Sequence, residues 1–316
     1  MHDVIQRAGR PDHWTARRAR IGLTAVLAVL ASTSAAAQTS GLASEIQHRI
    51  DQVPKAVVGV AFHDLQTGDT LFLRADESFH AASTMKVPVM IELFRRVDAG
   101  TLSLDQGVPL ANQFTSIADG STYALNASDD SDSLAYTLVG TRVPLRDLIE
   151  HMITRSSNLA TNALIELVGA KNANETAHQL GANNIKVLRG VEDTPAFRAG
   201  MNNTTTARDL AVLLEAIETG RAASRQSCDT MRAILARQEF NEEIPAGLPP
   251  GTKVAHKTGW ITGVLHDAAV VYPPNRKPYV LVVLTRDIPD EKVARALIAD
   301  VSRIIWTHTG SNGAAR

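Results

Sequence analysis

The sequence predicts an α/β protein, α+β and two-lobed in layout. One antiparallel sheet is built from both ends of the chain and flanked by helices, and an all-helical lobe is inserted between its two halves. Three observations predict this. Residues 56–75 alternate and are rich in valine; apolar residues at three-to-four spacing dominate from residue 83 to about 240; β-rich runs then return, followed by a closing amphipathic helix. The boundaries that follow are 38–80 for the first part of the α/β lobe, 81–240 for the helical lobe and 241–316 for the second part of the α/β lobe, all after an N-terminal segment 1–37.

That first segment has the three parts of a secretory signal. RRAR (17–20) is followed by the apolar run IGLTAVLAVLA (21–31) and then STSAAAQ, where Ala35 and Ala37 are the small residues a signal peptidase requires. Cleavage is expected after Ala37. The apolar run is far below the roughly 20 residues needed to span a bilayer, so the protein is expected to be exported to the periplasm or secreted, with no stable membrane association. Arg17-Arg18 raises the twin-arginine route, and the general route is the favoured one.

SGLASEIQHRID has a helical pattern. AVVGVAFHDL and LFLRA read as strands joined by the turn QTGDT, which makes 56–75 a hairpin. LRDLIEHMITR, NLATNALIELVG, KNANETAHQLG, TARDLAVLLEAIETG and CDTMRAILARQ then carry helical spacing, three of them stopping at or beside glycine. KVAHKTGWITG, HDAAVVYPP and PYVLVVLTRD read as strands, and EKVARALIADVSRIIW as the last helix. Within the helical block, SDDSDSLAY (128–136) is acidic and serine-rich. It lacks the glycine and distal glutamate of a calcium loop and reads as a solvated insertion.

The chain has one cysteine, Cys228, so no disulfide can form within it and stability must come from the core. A formal net charge of −1 gives no electrostatic footprint for nucleic acid or anionic lipid. A small neutral or zwitterionic ligand fits better, and a cleft between lobes is where one would bind. No histidine spacing matches H-E-x-x-H or a similar ligand set, so neither a metal nor an organic cofactor is expected.

The chemistry starts at AASTMKVPVM (81–90). If the apolar run after it is helical, Ser83 and Lys86 lie one turn apart on one face. Ser83 is then either a nucleophile or a helix cap. A serine hydroxyl needs a base within reach, and Lys86 can be that base only if burial or a second cation keeps it partly neutral. Lys257, in HKTG on a strand pattern, is such a cation, or else an edge-strand lysine that discourages aggregation; the glycine beside it would let a ligand approach the backbone. Ser156 and Asn158 in RSSNLATN stand at a helix entry, where both are also ordinary caps. Glu192 in RGVEDTPAF is a loop acid, a kind usually just solvated.

Serine and lysine at the head of a helix, S-x-N, a loop glutamate and K-T-G on a strand, in that order, make up the set described for class A β-lactamases and penicillin-binding proteins. The sequence resembles that superfamily over nearly all of the chain after residue 37, and more closely the class A serine β-lactamases. The spacing of Asn158 and Glu192 is the one expected of class A. The resemblance implies a β-lactamase/transpeptidase-like fold and a β-lactam substrate, with no cofactor and a monomeric protein. Ser83 would form an acyl-enzyme; Lys86, or Glu192 through a water, would take its proton; Ser156 would relay a proton to the ring nitrogen, held by Lys257; Asn158 would bind the substrate's side-chain amide. Thr258 and Gly259 line the substrate strand, the backbone N–H groups of Ser83 and Trp260 would hold the oxyanion, and Glu192 would activate the hydrolytic water.

The sequence departs from that pattern at several positions. Ala196 stands where an asparagine four residues after the glutamate usually helps hold the water, and Thr194 or an asparagine of GMNN (200–203) would have to substitute. Ser157 replaces the usual central aspartate of the S-x-N motif. Trp260 follows K-T-G where a small residue is normal. No arginine occupies the strand position that commonly binds the substrate carboxylate, so Thr258 with His256 or His266 is expected to compensate. The 115–140 insertion is expected to shape one wall, with Tyr123 as an aromatic gate. Two other readings compete with hydrolysis: a D-alanyl-D-alanine peptidase that deacylates slowly, and a binding protein that captures β-lactams or peptidoglycan fragments without turnover.

Overall fold

The valine-rich hairpin forms where the alternation places it. The computed structural model describes residues 40–313 together with His2; apart from His2, the secretory-signal reading of residues 1–37 lies outside the described residues. Helix α1 (40–51) leads into β1 (Val57–Asp64) and β2 (Thr70–Leu73), and Gly68 closes the turn between them at φ 80°, a conformation that glycine adopts without strain. β3 (Phe79–His80) and a short 3₁₀ turn (Ala82–Met85) precede α2 (Lys86–Asp98). Then follow the short strands β4 (Gly107–Pro109), β5 (Phe114–Thr115), β6 (Thr122–Tyr123) and β7 (Arg142–Pro144). The helices α3 (Leu145–Thr154), α4 (Asn158–Val168), α5 (Ala170–Gln179) and α6 (Thr194–Arg198) come next, then β8 (Thr204–Thr205), α7 (Ala207–Glu218) and α8 (Arg225–Leu235). The chain closes with β9 (Lys253–Ile261), β10 (Val264–Tyr272), β11 (Tyr279–Arg286) and α9 (Glu291–Gly313).

The five long strands form one antiparallel sheet in the order β2-β1-β11-β10-β9, so both ends of the chain supply it. Side-chain alternation gives the sheet two buried faces. Val58, Val60 and Phe62 of β1 and Leu281 and Val283 of β11 face Ile46 and Ile50 of α1 and Leu297, Ile298 and Ile305 of α9. Ala61, Val280, Val282 and Leu284 share the opposite core with the helical block. From Leu42 onward the chain packs as one compact unit. α7 lies against β1, β10 and β11, so a helix that the sequence groups with the helical lobe also covers the sheet.

α2 is the centre of the larger core. Every residue from Lys86 to Phe94 is buried, the charged Lys86 and Glu92 included; Glu92 is paired inside with Arg96 Nε at 2.7 Å and Thr176 Oγ1 at 2.6 Å. Each fully buried Leu, Ile or Phe there contributes about 1.5–3 kcal/mol. Pro88 is tolerated because the N–H groups of a first helical turn have no partner within the helix. No helix among the described residues is long and apolar enough to cross a membrane.

Candidate active site

A cleft of about 680 Å³ opens beside the start of α2, the α3–α4 connection, the loop before α6 and the end of β9. Ser83, Ser156, Asn158, Glu192, Thr258, Gly259 and Trp260 line it. Lys86 and Lys257 are completely buried, and both reach toward it through Ser156.

Ser83 lies on the 3₁₀ turn rather than in α2, and neither that turn nor α2 has a side-chain cap bond. The helix-cap role considered for Ser83 is therefore not realised. Other groups pin the turn. Thr84 donates its N–H at 3.1 Å and its hydroxyl at 2.6 Å to the Ala81 carbonyl, Ala81 N–H donates to Asn203 O at 2.9 Å, and Ala82 N–H to His80 Nδ1 at 3.1 Å. That last bond makes Nδ1 of His80 the lone-pair nitrogen, and burial, then Arg189, holds the His80 pKa down. Ala82 pays with a φ of 45°, in the left-handed region. Gly259 of β9 lies directly behind the turn: a Cβ there would stand 3.1 Å from Thr84 Cγ2, 3.2 Å from Ala82 Cβ and 3.2 Å from Ser83 N. Gly259→Ala is expected to push the Ser83 turn off β9 by a few tenths of an ångström and to lower kcat/KM, by less than the roughly 10²-fold that a 1 Å misplacement can cost. Steady-state kinetics on the folded variant check this, and unchanged kcat/KM would show that the turn can yield.

Ser156 gathers the two lysines. Lys86 Nζ donates to Ser156 O at 2.5 Å, Ser156 Oγ at 3.2 Å and Asn158 Oδ1 at 3.0 Å, so its hydrogen bonds go to Ser156 and Asn158 rather than to Ser83. Lys257 Nζ donates to Ser156 Oγ at 3.0 Å and to Thr258 O at 3.0 Å. Two donors fill the lone pairs of the Ser156 hydroxyl and leave its own proton free to point elsewhere. Burial pulls the Lys86 pKa down to about 7, against the opposing charges of Asp130 and Glu192, which raise it. Lys257 is also pushed down, by burial first and then by Lys86. Ser156 itself sits at φ 59°, a strained conformation for serine.

Glu192 is exposed to the cleft, also in the left-handed region at φ 60°. Its Oε1 accepts from Asn158 Nδ2 at 2.6 Å, so the Asn158 carboxamide bridges Lys86 and Glu192. Desolvation by the cleft walls raises the Glu192 pKa, while the Asn158 bond lowers it. The next residue anchors the loop: Asp193 accepts from Ser116 Oγ at 2.6 Å, Ile117 N at 3.0 Å and Ala196 N at 3.1 Å, the last as N-cap of α6. Ala196 is fully buried in α6. Of the groups expected to replace the missing asparagine, Asn203 is committed elsewhere: its carboxamide holds Leu188 N, Arg189 N and Arg189 O. Asn202 Oδ1 accepts from the Arg189 guanidinium at 3.3 Å. Thr194 lines the cleft.

Several expectations are corrected. Tyr123 is not a gate. Its hydroxyl donates to Val191 O at 3.4 Å and accepts from Asn162 Nδ2 at 3.4 Å, with its ring against Phe114, so it supports the Glu192 loop from behind. His256 is buried with Nδ1 3.0 Å from Asp267 Oδ1, and His266 is buried with Nε2 2.8 Å from the His80 carbonyl. Neither lines the cleft, and burial pulls the His266 pKa down to about 4. The cleft instead contains Arg295 of α9, 3.3 Å from Glu243 and 2.9 Å from Glu242. The acidic stretch 128–136 is only partly solvated: Asp130 and Asp132 are buried, and Asp129, Asp130 and Ser131 form a wall of the cleft. Among the described residues no group of acids, histidines and cysteine could hold a metal ion.

The chain is similar to known proteins over most of its length. The family model described as the β-lactamase enzyme family matches residues 41–309. The β-lactamase AST-1 of Nocardia asteroides is 29% identical over 272 residues, covering 84% of each chain. A structure of PBP-A superposes with a TM-score of 0.73 at 29% identity, covering 86% of this chain and 96% of that one. A variant of the class A β-lactamase of the last common ancestor of Gram-negative bacteria gives a TM-score of 0.73 at 26% identity, covering 85% and 98%. The chain belongs to the β-lactamase enzyme family, on its class A serine branch.

Proposed function

We propose that this protein is a secreted, monomeric serine β-lactamase that hydrolyses the β-lactam amide through a Ser83 acyl-enzyme. The observation that carries the reading is the Asn158 carboxamide joined to Lys86 Nζ at 3.0 Å and to Glu192 Oε1 at 2.6 Å. It ties the amine suited to acylation to the carboxylate suited to deacylation. Ser83 Oγ attacks the lactam carbonyl and its proton passes to Lys86, which as a neutral amine releases one of its three acceptors. The backbone N–H groups of Ser83 and Trp260 stabilise the oxyanion; each such donor is worth about 2.7–4 kcal/mol. The C–N bond breaks as Ser156 gives its free proton to the ring nitrogen and recovers one from Lys86. Glu192 then takes a proton from a water that attacks the ester; as the ester C–O bond breaks, that proton passes from Glu192 to Ser83 Oγ, which restores the hydroxyl and leaves Glu192 a carboxylate again. The second N–H of Asn158 remains for the substrate's side-chain amide. Thr258 and Arg295 are the lining groups suited to its carboxylate.

The peptidase alternative draws on Ala196, which offers the hydrolytic water no second polar holder. Turnover of a chromogenic cephalosporin separates the two readings. We expect continuous hydrolysis, with kcat/KM rising with pH through about 7 as Lys86 loses its proton. Stoichiometric reaction without turnover would leave the peptidase or the binding protein. A profile flat from mildly acid to mildly alkaline pH would remove Lys86 as the proton acceptor.

A further inference from the structure

Asp130 is only 8% exposed, although it lies in the stretch whose composition marks it as solvated. Its Oδ2 accepts the N–H of Asn158 at 2.9 Å, the N–H of Leu159 at 3.0 Å and the hydroxyl of Tyr136 at 3.0 Å; Oδ1 accepts from Asp132 N at 3.1 Å. The two amides are the first of α4, which an α-helix cannot satisfy from within. A carboxylate 28 residues upstream therefore caps the helix, beside Ser157, whose hydroxyl accepts from Ala160 N at 3.3 Å. The residues after Asp130 hold the same connection from outside. Ser131 Oγ donates to Arg155 O at 2.7 Å, and the Asp132 carboxylate meets His151 Nδ1 at 2.5 Å and the Arg155 guanidinium at 3.9 Å. The segment so clamped carries Ser156, in its strained conformation, and Asn158.

We propose that Asp130 is a positioning residue of the reaction: fixed on the Asn158 and Leu159 amides, its carboxylate holds Ser156 and Asn158 in register and supplies a fixed negative charge behind Lys86 and Glu192. This rests on the roles given above to those two residues. The charged and titratable groups around it are Lys86 of α2, Glu192 of the opposite loop, Asp129 and Asp132 beside it, Tyr136, and His151 and Arg155 of the α3 end. After burial, Asp130 has the largest effect on the Lys86 pKa, and it raises it. It also raises that of Glu192, after burial and the Asn158 bond. The Tyr136 hydroxyl, pushed up by burial and by Asp130, stays protonated and donates. Removing the charge while keeping the shape should therefore let Lys86 deprotonate at lower pH.

The test is the pH profile of acylation by a labelled penicillin in wild type and in the near-isosteric Asp130→Asn, with circular dichroism to confirm folding. We expect Asp130→Asn to fold, to acylate about tenfold more slowly on the profile's plateau, as for loss of a charge-assisted hydrogen bond, and to move its rising limb to lower pH. Asp130→Glu, which keeps the charge, should keep the limb near its wild-type position. A limb that does not move in Asp130→Asn, whatever happens to rate or melting temperature, would reduce Asp130 to a structural cap and overturn the proposal. If wild type itself fails to acylate, the proposed function fails instead, so the two failures are distinguishable.

Discussion

Glu192→Ala is expected to take up one equivalent of a penicillin or cephalosporin and then stop. In the proposed mechanism acylation uses Ser83, Lys86 and Ser156, none of which hydrogen-bonds to the Glu192 carboxylate, whose partner is Asn158 Nδ2 at 2.6 Å. Glu192 also raises the Lys86 pKa, so its removal leaves Lys86 more readily neutral and acylation no slower at neutral pH. Deacylation loses its general base, a loss worth about 10²- to 10⁴-fold in rate. Stopped-flow kinetics should show a burst of one product per enzyme followed by a steady state lower by that factor, with the acyl-enzyme visible by intact mass. Unchanged steady-state turnover would mean that another acid activates the water. Because Ala196 is buried and Asn203 is committed to Leu188 and Arg189, the loop offers little to take over.

Ser83→Ala is expected to remove both covalent labelling and turnover, the latter by on the order of 10⁶, as when a nucleophile that works as a unit with its base is deleted. The same variant decides between nucleophile and cap. Loss of an N-cap serine costs about 1 kcal/mol. Ser83 makes no cap bond in the 3₁₀ turn or in α2, so the melting temperature should stay at the wild-type value. A labelled Ser83→Ala protein would take Ser83 out of the mechanism, and a clear fall in melting temperature would restore the cap reading. Adding Lys86→Ala to Ser83→Ala should cost no further activity.

The parts of the site carried by short motifs were legible because their spacing is local. Ser83, Lys86, Ser156, Asn158 and K-T-G need only a few neighbours to be recognised, and the valine-rich runs of β1, β10 and β11 show in any window of eight residues. What the sequence hid are pairings between distant segments. Asp130 looks like one more solvated acid until α4 lies beside it, and no local pattern announces that its carboxylate meets the Asn158 and Leu159 amides. His256 and His266 looked available for a substrate carboxylate, but Asp267 and the His80 carbonyl engage them inside the sheet. Tyr123 was misplaced because register through residues 115–140 depends on Asp193 reaching back to Ser116 and Ile117. Arg295, on the final helix, lines the cleft only because α9 packs beside the Glu243 segment.

The most direct measurement is the mass of wild-type protein, intact and after digestion, sampled during and after reaction with a small molar excess of penicillin. A penicillin adduct on the peptide containing Ser83 is expected while substrate remains, gone once the substrate is consumed, with the product hydrolysed. A stoichiometric adduct that outlives the substrate, or hydrolysis that never passes through an adduct on Ser83, would contradict the proposed mechanism.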